Sequence, residues 1–379
     1  MIRVLHVIGA MDRGGAETMI MNLYRKIDRD RIQFDFLVHE QRECDFDQEI
    51  GRLGGRIFRL PRFNGINYVR YRHLCRVFFK QHPEYRIVHG HIGSCAAIYL
   101  NEAKRSGAFT IAHSHAQSFT PGLPGLAFRI ASYPTRFIAD RFFGCSYEAG
   151  KDRFGGKVVE DPRFAVLPNG IDLSQYAFNE TVRKDMRKKL TIEGKAVFGH
   201  VGRLTAVKNH RFLLQVFSTI RQRIPDAVLI LVGRGEMEHE LRQLTCGMGI
   251  DSAVRFLGIR EDVPDILEAM DVFLFPSIKE GLPLAAIEAQ ASGLPCIIST
   301  GVPKQVLVSD RASLLPVEDH ADRWASIAVE LYETAAQKGR SDCIDQVRAH
   351  GFDINETVKR LQAFYRAISD GKSVSFNEV

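Results

Sequence analysis

The sequence lacks the cysteine patterns of disulfide-stabilised and zinc-binding folds. Its seven cysteines are odd in number and widely spaced, and no two of them form a CxxC pair. This argues against a disulfide framework and a structural zinc site, and it indicates a reducing compartment. No stretch approaches the roughly 18 apolar residues that a membrane-spanning helix needs. The apolar N-terminus, 1–10, is interrupted by Arg3 and His6 and predicts a first strand rather than a signal peptide. A cytoplasmic location is therefore expected.

Common cofactor and metal motifs are also missing. The glycine-rich segment GAMDRGGAE at 9–17 is neither the GxGxxG dinucleotide fingerprint nor a P-loop ending in GK[ST], which disfavours a nicotinamide dehydrogenase. It is consistent both with a phosphate-binding loop and with a plain tight turn. The thirteen histidines are dispersed along the sequence, without an HExxH motif. We therefore expect neither a metal site nor a cofactor.

The chain is long enough for two domains, since 379 residues exceed what one hydrophobic core usually supports. Short apolar strand candidates alternate with helical segments, and the alternation restarts after Leu190. Two consecutive βα series predict an α/β protein with two doubly wound parallel-sheet domains. We place the domains at 1–178 and 179–354, because the charged segment 179–194 suits a surface crossover. An amphipathic helix is predicted at 355–369. The predicted strands are 3–8, 32–38, 56–60, 86–90, 109–113, 141–145, 163–167, 196–201, 227–232, 253–257, 271–275 and 295–299.

Two carboxylates, Glu280 and Glu288, bracket an EGLP turn that opens a predicted helix at 283–292. Pro283 suits the first turn of a helix, where the leading N–H groups have no intrahelical partner. The N–H groups of Leu284 and Ala285 would then be free to bind an anion such as a diphosphate. Each carboxylate can accept hydrogen bonds from sugar hydroxyls. An ordinary surface helix with two acidic residues fits the stretch equally well.

Two cations follow the predicted strand at 196–201. Arg203 leaves the end of that strand, and Lys208 lies near the start of the next predicted helix. A planar guanidinium and a compact ammonium together suit a diphosphate, although solvated charges on a loop would give the same pattern. Combined with the two carboxylates, the cations indicate one ligand that carries both phosphates and hydroxyls. That ligand is a nucleotide diphosphate sugar.

Four motifs in this order resemble the retaining glycosyltransferases of the GT-B fold, family four. They are GGAE at 14–17, PNGID at 168–172, GRLxxxKN at 202–209 and the Glu-x7-Glu bracket with EGLP. The resemblance covers essentially the whole chain, and the segment 253–299 is similar to bacterial transferases that build exopolysaccharide or capsule. It implies two Rossmann-like domains facing across a cleft, with the acceptor on the first and the nucleotide sugar on the second. It also implies that 355–369 packs back on the first domain.

The resemblance implies a role for each charged residue of the second domain. Arg203 and Lys208 match cations that stabilise the leaving diphosphate. Glu280 matches an acidic residue near the donor sugar, and Glu288 matches an acidic residue that binds the ribose. Members of this family need no obligatory metal, and the cations with the helix amides would replace it. The expected donor-binding residues are Gly15, Arg203, Lys208, Glu280, Gly281, Leu282, Leu284, Ala285 and Glu288.

In the first domain, His115 matches an active-site histidine near the primary hydroxyl of the donor sugar. His113 remains a competing candidate, because residues two apart in a strand share a face. No carboxylate is marked by its spacing as a nucleophile of the retaining-glycosidase kind. The expected mechanism is therefore reaction on one face of the sugar. The expected catalytic residues are His115, Glu280, Arg203 and Lys208, and the expected acceptor-binding residues are Gly14, Gly15 and His113.

The resemblance implies transfer of a hexose or N-acetylhexosamine, preferably from a UDP-sugar, to a saccharide such as a polyprenyl-diphosphate saccharide. The segment 52–86 carries nine Arg or Lys against one acid, Glu84, with interleaved aromatic residues. With 119–143, it predicts contact with the inner membrane surface; a buried amphipathic helix with a solvated arginine face is the alternative. No nucleic acid is expected, because no RNA-binding motif accompanies the basic face.

Two other functions share these features. A nucleotide-sugar epimerase or a phosphorylase can use the same scaffold, because a fold alone does not fix a reaction. A non-catalytic carbohydrate-binding assembly protein would also keep the fold. The intact pairs of carboxylates and cations favour an enzyme.

Overall fold

The computed structural model describes residues 1–115, 122–372 and 375–376. The chain divides into two compact units, unit 1 (Met1–Ile171 with Gly351–Val379) and unit 2 (Asp172–His350). Each unit contains one sheet in which all paired neighbours are parallel. The predicted α/β class with two doubly wound domains is confirmed.

The strands lie close to their predicted positions, with one addition. β13 was not predicted, and its Ala312–Leu315 segment is only partly buried, so it lacks the apolar run that marks the inner strands. The strands are β1 Ile2–Ile8, β2 Ile32–Val38, β3 Ile57–Arg59, β4 Ile87–Gly90, β5 Phe109–Ser114, β6 Arg141–Gly144, β7 Phe164–Val166, β8 Val197–Val201, β9 Val228–Val232, β10 Val254–Gly258, β11 Val272–Phe275, β12 Cys296–Ser299 and β13 Ala312–Leu315.

The helices fill the crossovers between the parallel strands. They are α1 Gly15–Lys26, α2 Asp47–Arg52, α3 Tyr68–Gln81, α4 Ala96–Arg105, α5 Leu123–Ser132, α6 Thr135–Ile138, α7 Tyr147–Phe154, α8 Gly156–Val159, α9 Glu180–Lys189, α10 His210–Arg223, α11 Glu238–Gly247, α12 Val263–Ala269, α13 Leu284–Ala291, α14 Ala321–Lys338, α15 Ile344–Ala349 and α16 Ile354–Ser369.

The sheet of unit 1 has seven strands in the order β3-β2-β1-β4-β5-β6-β7. Two hydrophobic clusters cover it. One contains side chains of α1 and α16, and the other contains side chains of α3 and α4. All seven residues of β2 are buried, as expected for a parallel strand covered on both faces. The sheet edge that remains for ligands is the one at the carboxyl ends of the strands.

The sheet of unit 2 has six strands in the order β10-β9-β8-β11-β12-β13. α10, α11 and α14 build the hydrophobic cluster over one face, around the buried Trp324. β9 and β11 are fully buried. Chain order reverses between β8 and β11, which places a topological switch point there.

The units divide at Ile171 and Asp172, a few residues before the predicted boundary at 178/179. Ile171 forms a parallel bridge with Asp353 within unit 1. The 3₁₀ turn Leu173–Tyr176 contacts α13 of unit 2 instead. The predicted C-terminal helix corresponds to α16, whose Leu361, Phe364 and Tyr365 lie in the core of unit 1. The polar segment 179–194 contains helix α9, and the units separate a few residues before it.

The basic segment 52–86 differs from its predicted role at the membrane. Its aromatic residues at 71, 78, 79 and 85 are buried in the core of unit 1 rather than displayed. On α3, Arg72 and Arg76 place Nε atoms 2.8 and 3.1 Å from the carboxylate oxygens of the buried Glu102. The helical periodicity of the segment therefore reflects core packing. Only Ile66, Tyr68 and Val69 stay exposed as large apolar side chains there.

A second apolar surface lies on α5 and α6, within the predicted segment 119–143. Leu126, Ile130, Tyr133 and Phe137 are each more than half exposed. Residues 119–121 of that segment lie outside the described residues. Within the described ranges, none of the helices combines the length and apolar character required to cross a bilayer.

Candidate functional site

The loops that follow β8 and β11 meet at the switch point of unit 2. The N–H of Ile278 donates to the carbonyl of Val207 at 2.8 Å, which joins the two loops directly. The N–H of Glu280 donates to the carbonyl of Gly301 at 3.2 Å, which adds the loop after β12. Three loops are therefore fixed to one another at the carboxyl edge of the sheet, where open α/β sheets bind ligands.

Lys208 and Glu280 form an ion pair across this junction. Lys208 Nζ lies 2.7 Å from Glu280 Oε1, and the two side chains are only 16% and 18% exposed. The ammonium also lies 4.6 Å from the centre of the Phe275 ring. An ammonium has three donors, so Lys208 can contact a carboxylate and still bind a phosphate oxygen. The structure thus brings a predicted phosphate-binding cation and a predicted sugar-binding carboxylate together at one point.

Arg203 lies in the same loop as Lys208 but has a different environment. Its side chain is exposed, and within the described residues no carboxylate forms an ion pair with it. The loop backbone is fixed nevertheless, because the N–H of Leu204 donates to the carbonyl of Arg234 at 3.0 Å. Arg203 is therefore a charged side chain on a rigid base, free to turn towards an anion.

The helix α13 begins one residue later than predicted, at Leu284, with Pro283 as its N-cap. No side chain caps this end. The leading N–H groups, including those of Leu284 and Ala285, have no intrahelical acceptor. Gly281 and Leu282 form the turn between Glu280 and the helix, and Leu282 is buried. This N-terminus provides amide donors and a favourable helix dipole for an anion.

Glu288 lies on α13 and is hydrogen-bonded to Tyr176. Burial raises the pKa of the Glu288 carboxyl to about 7, and the hydrogen bond from Tyr176 offsets part of that rise. Near neutral pH the group is therefore both a donor and an acceptor of hydrogen bonds. A ribose diol offers matching donors and acceptors.

The glycine loop of unit 1 leads into α1. Gly14 is the N-cap, α1 begins at Gly15, and no side chain caps this end either. The loop is fixed on both sides, because the N–H of His39 donates to Gly9 at 2.9 Å and the N–H of Phe46 donates to Met11 at 3.0 Å. Gly15 is exposed and has open space on the side where a Cβ would lie.

Five histidines meet at the carboxyl edge of the same sheet, which corrects the expectation that the histidines are dispersed. His6 lies on β1, His89 on β4 and His113 on β5. His91 and His115 directly follow the ends of β4 and β5. The ring nitrogens are close: His6 Nδ1 to His91 Nε2 is 3.0 Å, His91 Nδ1 to His115 Nε2 is 2.7 Å, and His89 Nε2 to His113 Nδ1 is 3.2 Å.

All five imidazoles are neutral at neutral pH. Burial lowers the pKa of each ring, and nearby imidazoles or a cation add to the effect. For His115 the pKa falls to about 3, through burial and then the charge of Arg153. His113 is 3% exposed, whereas His115 is half-buried. Of the two predicted candidates, His115 is therefore the one that a ligand can reach from outside the sheet.

Sequence reasoning missed several residues of these two sites. Tyr176 and Phe275 carry no motif of their own, and only the folded chain places them beside Glu288 and Lys208. The histidines did leave a signal. Two His-x-His pairs, at 89–91 and 113–115, end successive strands of the predicted sheet. Parallel strands bring such ends to one edge.

Two family profiles match the chain. The profile described as glycosyl transferases group 1 matches residues 195–334, and the profile described as glycosyltransferase family 4 matches residues 13–175. The first range contains the Lys208–Glu280 site, and the second contains Gly14, Gly15 and most of the histidine cluster.

Individual relatives are similar over most of the chain. Glycosyltransferase EpsF of Bacillus subtilis is 35% identical over 96% of this chain and 96% of its own. An Escherichia coli enzyme named UDP-Gal:alpha-D-GlcNAc-diphosphoundecaprenol alpha-1,3-galactosyltransferase is 29% identical over 74% of this chain and 75% of its own. The crystal structure of Anabaena HepE with UDP and glucose superposes with a TM-score of 0.79 at 19% identity, covering 97% of this chain and 100% of that one.

The raised pKa of Glu288 leads to a prediction about stability. In the unfolded chain the carboxyl ionises near 4.5, but in the folded chain it ionises near 7. Folding free energy is therefore lost as the pH rises through this window. We expect Glu288→Gln to unfold at the same temperature as wild type at pH 4.5 and at a higher temperature at pH 8, measured by thermal denaturation.

The control for this experiment is Glu333→Gln, which changes an exposed carboxylate of α14. It should follow the wild-type profile at both pH values. If the difference in unfolding temperature between Glu288→Gln and wild type were the same at pH 4.5 and at pH 8, the pKa of Glu288 would be ordinary.

A second prediction concerns Gly301, which supports the loop carrying Glu280. A Cβ at this position would lie 2.0 Å from the carbonyl oxygen of Ile278. Gly301→Ala should therefore displace the loop and destabilise the protein by about 1–3 kcal/mol. Gly247→Ala is the matched control, since no atom lies within 4 Å of that Cβ. Equal unfolding free energies for the two variants in urea would show that the junction is not tightly packed.

Proposed function

This chain belongs to the glycosyltransferases of group 1 and family 4, and we propose that it transfers a hexose or N-acetylhexosamine from a UDP-sugar to a lipid-linked saccharide with retention of configuration. The observation that carries this proposal is the Lys208–Glu280 pair at the switch point of unit 2, beside the uncapped start of α13. We further propose that the transfer belongs to bacterial cell-surface polysaccharide synthesis, and the similarity to EpsF supports this.

The donor is proposed to bind unit 2 with its diphosphate at Lys208, Arg203 and the amides of Leu284 and Ala285. These groups supply positive charge where the leaving diphosphate gains negative charge, and they are held in place before the reaction. Glu280 then accepts hydrogen bonds from the sugar hydroxyls. The choice of uracil as the base is supported by the name of the similar Escherichia coli enzyme, which uses UDP-galactose.

Glu288 is proposed to bind the ribose through the mixed donor and acceptor character of its buried carboxyl. Glu280 and Glu288 have different partners, Lys208 and Tyr176, and we assign them to different parts of the donor. Neither carboxylate suits the role of a nucleophile, because Glu280 is paired with Lys208 and Glu288 with Tyr176. This supports retention by reaction on one face, with the leaving phosphate taking the proton of the acceptor, and without a glycosyl-enzyme intermediate.

Unit 1 is proposed to bind the acceptor through Gly14, Gly15 and His113, with His115 near the primary hydroxyl of the donor sugar. A polyprenyl-diphosphate saccharide is the favoured acceptor, because the similar Escherichia coli enzyme is named for a lipid-linked one. No obligatory metal is proposed for the transfer step, since fixed cations and amides can stabilise the diphosphate. The proposed location is the cytoplasm, at the inner face of the membrane.

A screen of nucleotide sugars tests donor binding. We expect UDP-sugars to raise the unfolding temperature of the protein more than GDP- or ADP-sugars do. We also expect Lys208→Met to weaken UDP-sugar binding about 10- to 100-fold, since a hydrogen bond to a charged group contributes about 1.5–3 kcal/mol. Lys184→Met is the control, because Lys184 pairs with Glu180 on an exposed helix face. Stabilisation by GDP-sugars alone would contradict the choice of UDP, and no binding of any nucleotide sugar would contradict the enzyme.

Product analysis separates the proposed transfer from epimerisation and from phosphorolysis. With a UDP-sugar and a polyprenyl-diphosphate saccharide, we expect one glycoside and UDP in equal amounts, with the anomeric configuration of the donor seen by NMR. An inverted linkage would refute retention. An altered nucleotide sugar formed without acceptor would instead identify an epimerase.

Binding to vesicles tests the proposed membrane contact. Ile130 and Phe137 are 66% and 72% exposed, and the neighbouring arginines of unit 1 favour an anionic surface. We expect Ile130→Glu with Phe137→Glu to reduce binding to phosphatidylglycerol vesicles more than tenfold, since burying such side chains contributes about 1.5–3 kcal/mol each. Ile259→Glu, an exposed apolar position of unit 2, should have no effect. Wild-type protein that stays unbound would exclude the contact.

A further inference from the structure

The histidine cluster of unit 1 contains more imidazoles than the proposed transfer uses. One ring nitrogen each of His91, His113 and His115 lies within 4.8 Å of the others. His91 and His115 are half-buried and His113 is buried. The trio therefore lies at the outer boundary of the cluster, where an ion could enter from the carboxyl edge of the sheet.

The spacing of these nitrogens fits a single small cation. In a tetrahedral zinc site each nitrogen lies about 2.0–2.1 Å from the ion, which sets neighbouring nitrogens roughly 3.3 Å apart. His91 Nδ1 and His115 Nε2 are 2.7 Å apart, so they would need to separate by only a few tenths of an ångström. The third nitrogen, from His113, lies within 4.8 Å of both, and its ring would shift to reach the same spacing.

The remaining ring nitrogens are held by neighbours, as in known metal sites. His91 Nε2 lies 3.0 Å from His6 Nδ1, and His113 Nδ1 lies 3.2 Å from His89 Nε2. His89 is fixed in turn by Tyr365, whose hydroxyl lies 2.7 Å from His89 Nδ1. Such outer contacts orient the rings of metal-binding histidines.

An unpartnered ring nitrogen in the cluster also indicates a missing ligand. His113 Nε2 is buried and has no hydrogen-bond partner within the described residues. Buried polar atoms without partners cost free energy. A ring nitrogen that carries no hydrogen atom has a lone pair that an ion can bind.

We propose that His91, His113 and His115 form a site for one divalent transition-metal ion of the zinc class, with the fourth position open. Three imidazoles and an open position suit Zn²⁺ and Co²⁺. Arg153 lies near His115 and carries a positive charge, so the fourth ligand should be an anion such as hydroxide.

The site does not depend on the proposed transfer, because all three ligands belong to unit 1. It would nevertheless affect His115. An ion bound at Nε2 places the ring proton on Nδ1. His115 would then be a hydrogen-bond donor at Nδ1, the atom that has no partner within the described part of the chain.

Cobalt provides a direct readout of this site. After treatment with a chelator, the full-length protein should bind one equivalent of Co²⁺ and show the visible absorption of a tetrahedral ion, which Zn²⁺ should abolish. His115→Gln and His91→Gln should each lose this absorption. Both positions are half-buried, and circular dichroism would confirm that the variants fold. His73→Gln, an exposed histidine on α3 of the same unit, should keep it.

Three results would overturn the proposal. Titration of wild-type protein without any tetrahedral absorption would mean that the imidazoles only bind one another. Absorption that survives His115→Gln but is lost in Tyr365→Phe would assign the ion to the deeper group of His6, His89 and His91. Absorption lost in Cys246→Ser would assign it to that exposed thiol. Donor binding measured in chelator separates each result from a failure of the proposed function.

Discussion

The candidate donor site depends on one backbone hydrogen bond, from the N–H of Ile278 to the carbonyl of Val207. The two residues lie on loops that leave different strands, and this bond fixes the distance between them. Lys208 directly follows Val207 and Glu280 lies two residues after Ile278, so their ion pair forms within a rigid frame and not between two mobile loops. A cation held in this way does not need to be reorganised when a diphosphate binds. Gly301 constrains the same loop from another direction, because a Cβ at this position would lie 2.0 Å from the carbonyl oxygen of Ile278.

Both units place their polar groups at the same topological position. Chain order reverses between β8 and β11 in unit 2 and between β1 and β4 in unit 1. At such a point the loops diverge and leave room for a ligand. The chemistry of the two positions is different. Unit 2 offers opposite charges and an uncapped helix, whereas unit 1 offers neutral imidazoles beside a glycine loop. This division agrees with a charged donor on unit 2 and with hydroxyl or metal chemistry on unit 1.

Burial changes the protonation of the groups in both positions. It raises the pKa of Glu288 and lowers the pKa of His115. In each case the neutral form is favoured because charge is costly in a poorly solvated environment. A neutral carboxyl can both donate and accept hydrogen bonds, and a neutral imidazole keeps a free lone pair. The neutral form of Glu288 is lost at high pH, which lowers the stability of the folded protein there. The position is therefore better suited to ligand binding than to stabilising the fold.

The sequence by itself determined the α/β class, twelve of the strands and the residue types of the candidate donor site, because apolar periodicity and the GRLxxxKN and EGLP motifs are local signals. It could not determine which charges meet. Lys208 and Glu280 are separated by several strands and helices, and only the order of strands in the sheet brings them together. The aromatic residues of 52–86 showed the limit of periodicity, since it marks an amphipathic helix but not whether its apolar face meets a membrane or a core. The histidine cluster showed the same limit, because separate strands contribute its members and their proximity exists only at the edge of a folded parallel sheet.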